Sequence, residues 1–323
     1  MTDDTLPPTD NAVFGPLMGG SPEATFGGVL SFMRRRYSRD LAGVDAAVWG
    51  IPFDQSVSNR PGCRFGPSAI RRASAIFDGD PQYPFGFDPF ATLAVVDYGD
   101  AGFDYAQPMT FAESVEAQAR AILNAGAHLF SLGGDHFVTY PLLRAHAAKH
   151  GPLALVQFDA HQDTWSDHGG ISHGGFVARA VREGLIDPRR SIQVGIRTVA
   201  PEDCGIAMIP GHALDTLGIA GVTARIRETV GEAPAYLTFD IDCLDPAFAP
   251  GTGTPVAGGL SSREALGILR GLGTIDFVGG DVVEVSPPYD HADITAIAGA
   301  TVALYYLGLL AERRGARAGL TPA

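Results

Sequence analysis

In Phe158–Asp163, FDAHQD, three side chains able to hold a metal stand at every second position: Asp159, His161 and Asp163. An extended chain points residues i, i+2 and i+4 the same way, so these three converge on one spot if the segment leaves a strand. Asp240 and Asp242 repeat the spacing in FDIDCLDP (239–246), and LGGDHF places His136 just beyond another apolar run. One Asp at a strand end is ordinarily a turn or helix cap. Six such residues in three matching motifs are not explained that way. Four carboxylates and two imidazoles exceed the roughly three protein ligands of a catalytic zinc, and they suit two divalent ions sharing an Asp. The oxygen-rich set favours Mn²⁺-like ions, with nickel, cobalt or iron also accepting imidazole plus carboxylate.

To bring these motifs together the chain needs several strands ending on one side. Eight strand-like apolar runs occur, Asp45–Ile51, Thr92–Asp97, Ala127–Leu132, Leu153–Asp159, Ser191–Ile196, Ile206–Ile209, Ala235–Ile241 and Ile275–Val285. Between and after them lie helical patterns at Pro67–Phe77, Thr110–Ala125, Val138–His150, Phe176–Gly184, Val222–Val230, Ser261–Leu269 and, longest and most apolar, Ile294–Leu310. Alternation of this kind predicts a three-layer α/β/α fold on a mostly parallel sheet of about eight strands. In such sheets ligands bind outside the carboxyl ends of the strands, where all three motifs fall. Ser261 or Ser262 reads as an N-cap with Glu264 in the first turn. No linker or repeat separates the motifs, so the 323 residues read as one domain with a partly flexible lead-in over 1–40. The length of 294–310 raises a membrane question, but its Ala, Gly and Thr content and the Arg313–Arg314 pair beyond it favour a buried helix.

Composition narrows the partners. With 46% hydrophobic and 18% charged residues the chain can build a substantial core. A net charge of −13 with Lys149 as sole lysine argues against nucleic acid and anionic membranes and suits a cationic ligand. Cys63, Cys204 and Cys243 form no CxxC pair, which fits reduced thiols in a cytoplasm. The start MTDDTLPPTD is the reverse of a signal peptide's basic-then-apolar order.

Four segments, GGDH (133–136), DAHQD (159–163), HGG (173–175) and FDIDCLDPAFAPGTGTP (239–255), resemble the ureohydrolase family of arginases and agmatinases, over roughly residues 50–310. GLIDPRRSIQVGIR and YLTFDIDCLDPAFAPGTGTPVAGGL are most similar to agmatinases. The resemblance implies a hydrolase that cleaves a guanidino compound to urea and an amine. It implies one metal held by His136, Asp159, Asp163 and Asp240, and a second by Asp159, His161, Asp240 and Asp242. It implies a hydroxide oriented by Asp163, His173 as the proton-delivering histidine and Glu284 as the acid that pairs with the guanidinium. His168 competes with His173 for that role. Trimers or hexamers, homo- or hetero-oligomeric, are also what the resemblance implies.

Agmatine, giving putrescine, is the expected substrate, because TWSDHGGISHGG after DAHQD lacks the Asn- and Ser-bearing loop by which arginases hold the amino-acid end. The alternatives are guanidinobutyrate, guanidinopropionate, guanidine or a biguanide-like molecule, or a non-catalytic subunit of a hetero-oligomer. Trp165 and Gly175 are expected on the substrate side. So is the loop 54–66, where Asn59, Arg60 and Arg64 could line the mouth and suit a carboxylate-bearing substrate. GTGTPVAGG (251–259) lacks a P-loop lysine and reads as a pocket-wall turn. Asp245 reads as a turn cap and Cys243 as a small packed hydrophobe.

Overall fold

The computed structural model describes residues 10–20, 23–77 and 81–317. Eight strands form one sheet: β1 Ala46–Ile51, β2 Val95–Asp100, β3 His128–Gly133, β4 Ala154–Phe158, β5 Ile192–Ile196, β6 Ala207–Pro210, β7 Ala235–Asp240 and β8 Phe277–Val283. Every neighbouring pair is parallel, in the order β2-β1-β3-β8-β7-β4-β5-β6. All eight expected strands are present, displaced by at most three residues at either end. Strands β1, β4, β5 and β7 are buried along their whole length. Burial on both faces is why they read as continuous apolar runs.

The helices are α1 Asn11–Phe14, α2 Gly66–Ala73, α3 Phe111–Asn124, α4 Thr139–His150, α5 Phe176–Arg182, α6 Leu214–Val230, α7 Ser262–Arg270 and α8 Ile294–Arg317. They cover the two faces of the sheet over two apolar clusters. One is built around Phe130, Val156, Leu237 and Tyr306 and the other around Trp49, Phe111, Leu129 and Tyr236. Helix α7 opens on Ser261, one of the two expected N-caps, and Glu264 in its first turn completes a capping box, each binding the other's backbone N–H. Helix α6 begins eight residues earlier than the periodicity showed, because Gly218 at φ 61° kinks it and breaks the pattern. In α8, apolar enough by composition to cross a membrane, 72% of the apolar window is buried inside the molecule, so it serves as a core helix.

The flexible lead-in falls partly on residues 1–9, outside the described residues. From residue 10 onward much of the segment is built into the fold. Phe32, Met33 and Arg34 are buried, Arg34 pairs with Glu23 at 2.8 Å, and Tyr37 bridges to Asp97 beside β2.

Candidate metal centre and its cavity

The order of strands assembles the site. Its residues follow β3 (His136), β4 (Asp159, His161, Asp163), β7 (Asp240, Asp242) and β8 (Glu284), and β3-β8-β7-β4 are consecutive neighbours. The last two strands insert between β3 and β4, so motifs about a hundred residues apart end side by side. Asp240 turns out of β7 by capping the short helical turn 241–243, its Oδ1 accepting from Asp242 N at 2.8 Å. Asp159 does the same for His161 N at 2.6 Å. Each cap leaves one carboxylate oxygen directed at the crevice.

Around His136 Nδ1 lie Oδ2 of Asp163 at 2.9 Å and Oδ2 of Asp159 and Asp240 at 3.1 Å each. His161 Nδ1 stands 3.1 Å from Asp242 Oδ2 and 3.5 Å from Asp159 Oδ1. His136, Asp159 and Asp240 thus form one triad able to hold a metal ion, and Asp159, His161 and Asp242 form another, with Asp159 common to both. All are buried except His161, which is partly exposed.

Cations fit this donor set on a specific observation. His136 Nε2 lies 2.8 Å from Thr238 Oγ1, and the Thr238 hydroxyl donates to Asp281 Oδ1 at 2.6 Å. Thr238 has one proton, already used, so His136 Nε2 must carry a hydrogen, and Nδ1 is the ring nitrogen left to hold a cation, a proton or a metal ion. That buried Nδ1 has no hydrogen-bond partner although three carboxylate oxygens surround it. A lone pair aimed at three anionic oxygens is tolerable only with positive charge between them. The carboxylates show the same strain. Burial and the neighbouring Asp159 push Asp163 up to about 6, and burial with Asp242 and Asp159 pushes Asp240 well above the usual range. Burial lowers His161, but Asp159 and Asp242 outweigh it and hold the imidazole up to about 12.

A cavity of about 370 Å³ opens onto this cluster, walled by His161, Asp163, Asp240, His173, Gly174, Trp165, Ile171, Ser172, Ser56, Ser58 and Thr254. His173 Nδ1 is 3.1 Å from Glu284 Oε1, while its Nε2 lies 2.9 Å from Ser58 Oγ and 3.2 Å from Ser58 N. Burial lowers His173, but the Glu284 carboxylate more than offsets it and raises the imidazole to about 9. Glu284 is buried, at φ 63°, and its Oε1 also accepts the His136 N–H at 2.9 Å. His168 is exposed, with Ser166 as its hydrogen-bond neighbour among the described residues, and does not wall the cavity.

Several expected pocket residues lie elsewhere. Gly175 is buried behind the wall: a Cβ there would meet Trp165 O at 2.9 Å and Asp167 Cβ at 3.0 Å, so the loop 164–175 itself requires glycine. Asn59 donates to Gly253 O at 3.0 Å, pinning its loop to the 251–259 turn, and does not wall the cavity. Arg64 is committed to Asp54 at 2.5 Å and Arg60 lies over Tyr289 at 5.1 Å. Gln162, the residue between the last two candidate ligands of DAHQD, accepts Ala200 N at 2.6 Å and does not wall the cavity. Asp245 accepts from Ala247, Gly258 and Gly259 backbone N–H groups, as a turn cap should.

Three contributors escaped sequence reading. Asp135, in the quoted GGDH, is buried and accepts Ser56 N at 2.9 Å, anchoring the loop 54–66 beside the metal cluster. Ser58 holds His173, and Gln157 donates to Asp159 Oδ2 at 2.6 Å. Position two before Asp159 on an otherwise apolar strand was the available signal for Gln157. Ser58 carried none.

The arginase family profile matches residues 44–308. The chain is 54% identical over 301 residues to an agmatinase of Chromobacterium violaceum, covering 92% of this chain and 94% of that one. It is 50% identical over 271 residues to an agmatinase of Neisseria meningitidis, covering 84% and 88%. A crystal structure of a hypothetical agmatinase from Burkholderia thailandensis superposes with a TM-score of 0.93 at 52% identity, covering 95% and 98%. Proclavaminate amidino hydrolase from Streptomyces clavuligerus superposes with a TM-score of 0.84 at 38% identity, covering 90% and 100%.

Proposed function

The chain belongs to the arginase family, and on that premise we propose that it hydrolyses agmatine to urea and putrescine. Enzymes of this family are hydrolases acting on guanidino C–N bonds and use a binuclear divalent metal centre. The observation that carries agmatine is the cavity wall. Glu284 stands behind it for the guanidinium, and among the described residues no Arg or Lys lines it. A substrate ending in a carboxylate needs such a cation, and both candidates, Arg60 and Arg64, are engaged elsewhere. Trp165 and Ile171 offer an apolar wall to a tetramethylene chain.

His136, Asp159, Asp163 and Asp240 would hold one ion and Asp159, His161, Asp240 and Asp242 the other, Mn²⁺ being the choice that suits an oxygen-rich set. When bound, the two ions supply a water of lowered pKa, available as hydroxide at neutral pH. Glu284 orients the guanidinium so that its carbon faces that water, a gain in positioning that lowers the barrier directly. Asp163 accepts a hydrogen bond from the attacking oxygen. A guanidinium on Glu284 competes with His173 for Oε1. Losing part of its counter-charge, His173 becomes a stronger acid when the leaving amine needs a proton. The attacking oxygen bonds to the guanidinium carbon and passes its proton to Asp163, the C–N bond breaks with its electron pair on nitrogen, and that nitrogen takes the His173 proton, leaving urea and putrescine. Ser58, on the other ring nitrogen, faces the solvent-open side for reprotonation.

The test is urea release by metal-supplemented protein from agmatine, arginine, guanidinobutyrate and guanidinopropionate. Agmatine should give the highest kcat/KM by at least about a hundredfold over the carboxylate-bearing compounds, the loss expected when a buried charge lacks its partner. A guanidino acid turned over as well as agmatine overturns this reading.

A further inference from the structure

The carboxylate of Glu284 has a partner on its second oxygen that no motif announces. Cys63 is fully buried and its Sγ lies 3.0 Å from Glu284 Oε2. On Oε1, Glu284 accepts from His136 N and faces His173 Nδ1, and on Oε2 its hydrogen-bond partner among the described residues is Cys63. Gly253 lies near the same oxygen, and its missing side chain leaves that space free, since a Cβ there would come within 3.2 Å of Oε2.

The contact is built by the backbone on both sides of the cysteine. A Cβ at Gly62 would meet Ser286 Oγ at 2.7 Å and Pro288 Cγ at 2.8 Å, and one at Gly66 would meet Val285 O at 2.6 Å. Segment 62–66 therefore lies flat against 285–288, the residues that follow Glu284. Asp54 fixes the entry of that segment, accepting the Gly62 N–H at 2.8 Å. Burial first, and then Glu284, push the Cys63 thiol well above its usual value, so it stays protonated and can act only as donor towards the carboxylate.

We infer that Cys63 is a positioning residue: its thiol donates to Glu284 Oε2 and fixes the plane of the carboxylate that receives the substrate guanidinium. A residue at φ 63° has few backbone alternatives, which leaves rotation of the carboxylate as the freedom to be removed. Bidentate pairing with a planar guanidinium requires that plane to be set beforehand. The inference rests on the reading of Glu284 given above.

The experiment compares Cys63→Ala, Cys63→Ser and Glu284→Gln with the parent protein by steady-state kinetics on agmatine, after metal content and melting temperature have been measured for each. Alanine removes the donor at nearly constant bulk, and serine keeps one on a slightly shorter arm. Cys63→Ala should raise KM about tenfold, the size of one hydrogen bond to a charged group, with kcat changed less than about threefold. Cys63→Ser should restore KM to within about threefold of the parent, which a purely packing role would not produce. An unchanged KM in Cys63→Ala, or a Cys63→Ser protein as impaired as Cys63→Ala, overturns the inference. If Cys63→Ala does not fold, Cys63→Ser carries the test alone, a tenfold rise in its KM being the adverse result. Glu284→Gln separates the two readings. Its retention of the parent kcat/KM sinks the role of Glu284 itself, whereas an inactive Glu284→Gln beside a normal Cys63→Ala sinks only the thiol.

Discussion

His173 is held at both ring nitrogens, by Glu284 on one and Ser58 on the other, and both contacts bear on the proton it delivers. Replacing it with Asn removes an acid positioned at the leaving amine, so kcat should fall by about 10² to 10⁴ with both metals retained. His168→Asn, at an exposed side chain outside the cavity, should leave kcat unchanged. Loss of turnover in the second variant alone would reverse the assignment. The same pair predicts a pH dependence of stability in the metal-free protein. His173 rises from 6.5 to about 9 on folding. Its contribution is therefore complete below about pH 6.5 and lost as pH climbs through 9. Glu284 is lowered, burial being outweighed by His173, so its part is present above its ordinary value and lost on acidification. The melting-temperature difference between the parent and His173→Asn should be widest near pH 6 and close by about pH 10. A gap that widens with alkali would contradict the ion pair.

At the scale of elements, β7 and β8 do more than carry ligands. Thr238 on β7 and Asp281 on β8 pair across the sheet and set the tautomer of His136 from behind, while Tyr236 and Thr139 also donate to Asp281. Thr238→Val keeps the shape and removes the relay. Metal affinity should fall about ten- to a hundredfold with the melting curve otherwise cooperative, as measured by titration of the stripped protein. Unchanged affinity would mean the tautomer is set some other way. The strands themselves were legible, since parallel strands buried on both faces announce themselves as apolar runs. Their order was not: nothing local tells β7 and β8 to enter between β3 and β4. Five of the six candidate metal positions could be read because spacing at i, i+2 or i+4 is a local property, and the sixth, His136, from its place just beyond an apolar run. The loop 54–66 could not. Ser58, Cys63 and Asp135 act through contacts to residues far along the chain, and Asn59, Arg60 and Arg64, which composition made attractive for the mouth, are engaged by Gly253, Tyr289 and Asp54. Gly175 misled for a related reason. Its missing side chain makes room for Trp165 and Asp167 rather than for substrate.

For the whole molecule, a net charge of −13 and four carboxylates crowded at one sheet end make the metal-free state a strained one. Ions that bind only the folded chain stabilise it by mass action, about 2.7 kcal/mol at a hundredfold excess over Kd. Chelation should therefore lower the melting temperature by a few degrees and abolish turnover together, and Mn²⁺ should restore both. Recovery of activity without recovery of stability would disconnect the ions from the fold. The central claim is that two ions held at the ends of β3, β4 and β7 hydrolyse a guanidinium presented by Glu284. It is met most directly by counting metal per chain and, in the same preparation, urea and putrescine formed from agmatine. The account predicts two ions per chain and the two products in equal amounts, with both signals lost in Asp159→Ala, the ligand common to the two triads. A protein carrying two ions that releases no urea from agmatine would contradict it.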